Sequence, residues 1–172
     1  MTKLSVNVNK IATLRNARGG NTPDLVRFVE DCENFGAQGI TVHPRPDERH
    51  VTLSDTYNLA KVIRTEYNIE GYPDQRYLKI VSDIQPKQAT LVPDAYDVLT
   101  SNAGWDTIKH KSFLTDLVAQ IKESGSRVSI FVEPNNKIIE NAKEIGADRI
   151  EFYTGPYADH FLLNKQNAID PY

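Results

Sequence analysis

One unit occurs twice in this chain with the same spacing: a helix end, a tight turn and a buried strand. Phe35-Gly36-Ala37-Gln38-Gly39-Ile40-Thr41-Val42 matches Ile145-Gly146-Ala147-Asp148-Arg149-Ile150-Glu151-Phe152. Ser124-Gly125-Ser126-Arg127-Val128 is a looser third copy. Each glycine suits the left-handed position that closes a helix, and a short apolar strand follows. Strands of this kind, separated by amphipathic helices, belong to a parallel sheet covered by helices, which makes this an α/β protein.

Six strands are expected, over residues 4–8, 39–43, 67–71, 89–92, 127–132 and 149–153. Between them run apolar stripes of helical period. Thr22-Pro23-Asp24 offers a capping hydroxyl and a proline at the first helical position. Leu25, Val26, Val29 and Phe35 then mark one face of a helix closing at Gly36. Further helices are expected over 54–66 and 73–84, across Phe113, Leu114, Leu117, Val118 and Ile121, and over 135–145. No linker or low-complexity segment divides residues 1–172, so one domain is expected.

Two architectures fit six such units. A doubly wound sheet normally carries a glycine-rich phosphate loop after its first strand. Asn9-Lys10-Ile11-Ala12-Thr13 stands there instead. A TIM barrel needs roughly 250 residues, so this chain is about two units short of one. The strand ends decide between them. Asn7 and Asn9, His43, Glu70, Glu133 and Glu151 all fall at or just past strand ends. Polar groups at the carboxyl ends of many successive strands are the habit of a barrel whose site is built from its βα loops. A (β/α)8 TIM barrel with about six βα units present is therefore expected.

The net charge of −3 points to neither nucleic acid nor an anionic membrane, so any anion site must be a local cluster. Cys32 is the single cysteine, in a helical pattern as a small core residue, and no intramolecular disulfide can form. That fits a reducing cytoplasm. Four dispersed histidines offer no metal-ligand spacing. No stretch approaches the roughly 20 apolar residues of a membrane span, and Met1-Thr2-Lys3-Leu4-Ser5 enters a strand without a signal-peptide core.

The local cluster lies in Gly39-Ile40-Thr41-Val42-His43-Pro44-Arg45-Pro46-Asp47-Glu48-Arg49-His50. A strand stops on a histidine, and a proline-stiffened loop follows with two arginines, two acids and a second histidine. A titratable group beside arginines suits proton transfer on an anionic, phosphorylated substrate. His50 reads either as a ligand contact or as an exposed loop residue. Glu70, on a strand rich in apolar neighbours, is expected against apolar walls that raise its pKa and poise it as a general base; the alternative is a structural pairing with arginine. Arg15-Asn16-Ala17-Arg18-Gly19-Gly20 reads as a basic loop able to close over a phosphate. Thr100-Ser101-Asn102-Ala103-Gly104-Trp105-Asp106 offers small polar donors, with Trp105 as a loop anchor. His110 and His160 are expected at the surface.

These residues resemble the pyridoxine 5′-phosphate synthase family. Val6-Asn7-Val8-Asn9-Lys10-Ile11-Ala12-Thr13-Leu14-Arg15-Asn16-Ala17-Arg18-Gly19 is similar to its N-terminal signature, and residues 39–50 to its second-strand motif. Asn68-Ile69-Glu70, Leu91-Val92-Pro93 and Ile150-Glu151-Phe152-Tyr153-Thr154-Gly155 continue the match in order. The resemblance implies a barrel that condenses 1-deoxy-D-xylulose 5-phosphate with 3-amino-2-oxopropyl phosphate, needs no metal or organic cofactor, and assembles as an octamer. It implies acid–base roles for His43 and Glu70, and transition-state stabilisation by Glu151. It further implies amino-ketone phosphate contacts from Asn7 and Arg18, and deoxyxylulose phosphate contacts from Arg45, His50 and Thr100. Asn9 and Lys10 stand where many members carry Asp-His. Lysine can meet a phosphate as a point charge, but it cannot act as an acid near neutral pH as imidazole does. The family also continues beyond a sixth strand, so the units after Tyr172 are expected to be missing and both sheet edges open. Two other readings compete. One is a different phosphate-handling barrel, such as an aldolase, with Lys10 as its only candidate Schiff-base lysine. The other is a barrel fragment that binds phosphorylated ligand without catalysis.

Overall fold

A computed structural model of the chain describes residues 1–93 and 103–172. The elements run β1 (Ser5–Asn7), α1 (Asn9–Arg18), α2 (Leu25–Asn34), β2 (Gly39–Val42), α3 (Leu53–Leu59), β3 (Glu66–Gly71) and α4 (Gln75–Ile84). They continue β4 (Gln88–Leu91), α5 (Lys111–Glu123), β5 (Arg127–Val132), α6 (Asn136–Glu144), β6 (Arg149–Phe152), α7 (Gly155–Phe161) and α8 (Lys165–Ile169). All six strands are parallel and lie in chain order, β1-β2-β3-β4-β5-β6. An order that never reverses has no switch point, so the doubly wound alternative is excluded. The sheet curls as part of a TIM barrel.

Successive side chains in a strand point to opposite faces, and here the two faces differ in kind. Ile40, Val42, Ile69, Leu91, Val128 and Ile130 are fully buried in one core with Leu25, Val29, Leu59, Ile80 and Leu114 of the helices. The alternate positions Thr41, Asn68, Glu70, Gln88, Thr90 and Ser129 are buried too, but polar. They bond to one another across the strands. Ser5 Oγ meets Thr41 Oγ1 at 2.9 Å, Asn68 Nδ2 donates to Thr41 Oγ1 at 3.2 Å, and Thr90 Oγ1 donates to Asn68 Oδ1 at 2.8 Å. Below them Arg127 donates to Gln88 Oε1 and Glu66, and Arg149 to the same two acceptors. The apolar walls expected around Glu70 thus face the helices instead; the residue sits on the polar inner side and owes its desolvation to depth.

Side-chain caps start most helices where the sequence places them. Asp24 accepts from Arg27 N, Asp74 from Tyr77 N, and Asn135 from Lys137 N and Ile138 N. Thr52 and Asp55 form a reciprocal capping box on α3.

The differences have local causes. Asp24, not Thr22, caps α2, so the helix starts later than the Thr-Pro pair suggests. Phe35 is 90% exposed at its end rather than on its apolar face. The helix expected over 54–66 stops at Leu59, where Lys61 and Val62 N–H groups turn back to Asn58 and Leu59 carbonyls. Glu66 already belongs to β3. Arg15 to Arg18, expected in a basic loop with Gly19 and Gly20, close α1, whose only buried residues are Ala12 and Arg15. With no apolar stripe, α1 gives no periodic signal.

Asn68 ties β2, β3 and β4 through one side chain. Asn68→Ala is expected to cost about 2 kcal/mol, because Thr41 and Thr90 keep their burial and lose a partner; urea unfolding measures it.

Candidate active site

β1 leaves the sheet at Asn7 and enters α1 at Asn9, so β2 loses its main-chain neighbour just where His43 begins. The Asn9 side chain fills the gap. Its Oδ1 accepts the His43 N–H at 2.9 Å, standing in for a strand carbonyl, while its own N–H donates to Asn7 Oδ1 at 3.0 Å. His43 therefore keeps a strand-like position beyond the last strand residue.

The loop after it is built rather than slack. Arg76, in the first turn of α4, donates through Nη1 to Pro44 O at 2.6 Å. Glu48 takes a left-handed conformation (φ 52°), accepts Leu53 N–H at 2.9 Å and lies 3.6 Å from Arg76 Nη2. Asp47 pairs with Arg49 at 3.1 Å. This geometry buries Arg45 to 5% exposure and His43 to 9%, and brings the His43 and His50 ring centroids to 6.1 Å.

Burial is the main influence on His43, and it opposes charge; Arg45 and then His50 add to it. Together they hold the imidazole down at about 3. Burial first, then Arg45, brings His50 down to about 4. Glu70, at the end of β3, moves the other way. Burial pushes its carboxyl well above the carboxylate range, and the negative charge of Glu151 from β6 adds to that. Burial also raises Glu151. The site thus sets an imidazole whose proton affinity is lowered beside a carboxyl whose proton affinity is raised, next to a buried guanidinium. The upward shift of Glu70 is the one its sequence context predicts, with burial as its main cause.

His43, Arg45 and His50 share the loop after β2, Glu70 stands on the next strand, and Glu151 acts on Glu70 across the curl. Asn7 is exposed at the tip of β1, and Lys10 on α1 is close enough to contribute to His50's low pKa. Arg18 is exposed in the last turn of α1. Thr100 lies outside the described residues. Glu133 is exposed past β5 and lines a separate cavity of about 620 Å³ with Tyr157 and His160. Arg15 is no phosphate clamp. It is buried in a bidentate pair with Asp55, at 2.6 and 2.7 Å. Among the described residues no cluster of three or more His, Cys, Asp or Glu could hold a metal ion. Sequence reasoning missed the supporting roles of Asn9 and Arg76. The helical register of 9–18 would have pointed to Asn9, by placing it and Asn16 two turns apart on one face, whereas no sequence signal marks Arg76.

Residues 4–170 match the model of the family described as pyridoxal phosphate biosynthesis protein PdxJ. The chain is 58% identical over all its 172 residues to the pyridoxine 5′-phosphate synthase of Cytophaga hutchinsonii, covering 72% of that protein. It is 57% identical to the synthases of Phocaeicola vulgatus and Porphyromonas gingivalis, with the same coverage. Among solved structures the HMG-CoA lyase of Brucella melitensis aligns with a TM-score of 0.59 over 87% of this chain and 60% of its own, at 12% identity, a likeness of fold alone.

The depressed His43 pKa has a signed consequence. Between about pH 3 and 6.5 the unfolded chain binds the proton that the folded imidazole refuses, so stability falls as pH drops through that window. One such group contributes at most about 1.4 kcal/mol per pH unit. His43→Gln is expected to flatten that slope in denaturation measured from pH 7 to 4. The ring carbon protons of His43 should show no titration by NMR above about pH 4.

Proposed function

The chain belongs to the PdxJ pyridoxal phosphate biosynthesis family, and from that membership we propose that it works as a pyridoxine 5′-phosphate synthase. The reaction condenses 1-deoxy-D-xylulose 5-phosphate with 3-amino-2-oxopropyl phosphate into pyridoxine 5′-phosphate, phosphate and water. The observation that carries the residue roles is the opposed pKa shift of two buried groups at the ends of adjacent strands, His43 lowered and Glu70 raised.

Imine formation and dehydration each need a proton delivered to a departing hydroxyl and another taken from nitrogen or carbon. Glu70 gives the first proton, and His43 accepts the second. Arg45 and His50 take the phosphate of the deoxyxylulose substrate, as Thr100 does by resemblance. A bound phosphate dianion offsets the Arg45 charge that depresses His43, so substrate binding itself raises the basicity of the imidazole. Glu151, kept close to Glu70 and raised in pKa, stabilises cationic character as the imine forms. Asn7 and Arg18 meet the amino-ketone phosphate. Asn9 offers its remaining amide N–H₂ and Lys10 its ammonium at the same mouth. Assembly into a homo-octamer and a cytoplasmic location belong to the same proposal; no helix among the described residues is long and apolar enough to cross a membrane. The aldolase reading loses support because Lys10 is exposed on α1, whereas a Schiff-base lysine needs a desolvating pocket.

Turnover of the two phosphorylated substrates by the full-length protein tests the reaction. His43→Ala and Glu70→Ala are each expected to lower kcat by about 10²- to 10⁴-fold. Arg45→Ala should act mainly on the KM of the deoxyxylulose substrate. Undiminished turnover in both of the first two variants rules out the assigned acid–base roles. Sedimentation of the same protein reads its assembly.

A further inference from the structure

Asn16 lies on α1, outside the site, yet every polar atom of its side chain is committed. Its Oδ1 accepts from Arg15 Nε at 3.1 Å and Nη2 at 2.9 Å. Its Nδ2 donates to His50 O at 2.8 Å and Glu48 O at 3.3 Å. The amide cannot be turned over, because a guanidinium only donates and carbonyls only accept. Arg15 is fixed in turn. Its fork grips both oxygens of Asp55, and Asp55 is the acidic half of the capping box that starts α3. A continuous path therefore runs from the first turn of α3 through Asp55, Arg15 and Asn16 to two carbonyls of the β2–α3 loop. One of those carbonyls belongs to Glu48, the loop's left-handed residue, and the other to His50 itself.

We propose that Arg15, Asn16 and Asp55 are positioning residues for anion binding, holding the loop so that Arg45 and His50 stand ready before a phosphate arrives. The inference rests on the reading that these two side chains take a substrate phosphate. It adds that α1 sets their geometry. Without the path, the loop would have to be ordered by the ligand, and binding would weaken by the cost of that ordering. Arg15 serves here through shape as much as charge, since only a planar fork reaches a carboxylate and a neighbouring amide together.

The experiment compares Asn16→Ala, Asn16→Asp and Arg15→Lys with the unsubstituted full-length enzyme. Three readouts are taken: hydrogen exchange of the amides of residues 44–52 without ligand, affinity for inorganic phosphate, and kcat and KM for both substrates. The expected result is faster exchange in the loop, phosphate binding and deoxyxylulose-phosphate KM weakened about tenfold, and kcat within about threefold of the unsubstituted value. Asn16→Asp keeps an acceptor for Arg15 but cannot donate to the loop, so it should behave as Asn16→Ala does. Asn16 is exposed, so its variants keep the fold, which thermal unfolding verifies. Unchanged loop exchange in Asn16→Ala overturns the proposal, and so does faster exchange with unchanged phosphate affinity. Failure of the unsubstituted enzyme to turn over its substrates counts instead against the assigned reaction; phosphate affinity and exchange then still decide whether α1 positions the loop.

Discussion

The hydrogen-bonded ladder on the inner face of the sheet is the constraint on which the rest of this structure depends. A curled parallel sheet must put side chains on its concave side, and here those side chains are Ser5, Thr41, Asn68, Thr90 and Gln88, with Arg127, Arg149 and Glu66 beneath them. Polar groups at that depth are tolerable only when they satisfy one another. The mutual bonding fixes the relative height of neighbouring strands, because a slip of one residue would turn each group to the opposite face. Register then sets the level at which the next inward positions emerge, and those positions are His43, Glu70 and Glu151.

Stability and chemistry divide along the same line. The outward face does the hydrophobic work, with Ile40, Ile69, Leu91 and Ile130 packed beneath the helices. The inward face is therefore free to carry groups that a hydrophobic interior would reject. Two of them have proton affinities displaced from those they would have in water. His43 is lowered because it is buried beside a guanidinium, and Glu70 is raised because it is buried near a second carboxyl. Neither arrangement helps the fold, and groups shifted in this way cluster at functional sites.

Much of this was legible in the residues themselves. The repeated helix–turn–strand unit announced a parallel sheet, and the strand ends pointed to His43, Glu70 and Glu151, three groups whose pKa values burial shifts, because burial patterns and periodicity are local properties. What stayed hidden was α1. Its helix carries no apolar stripe, since the face that docks does so through Asn9, Arg15 and Asn16 rather than through leucines. A helix docked largely by polar contacts has no period to read, and Arg15 looks like a free charge until its partner Asp55 is seen. The same blindness made Glu70 look walled by apolar neighbours, because alternation on a doubly buried strand hides which face each residue occupies.

The contact between Asn9 and His43 makes the junction of β1 and α1 a length gauge. A strand advances about 3.3 Å per residue, so a single insertion or deletion between Asn7 and Asn9 would leave both elements able to form. It would nonetheless carry the amide acceptor away from the His43 N–H by about one such step. The histidine would then lose its anchor although no residue near it had changed. Drift in the length of this short junction is therefore closed to the protein in a way that drift in its composition is not.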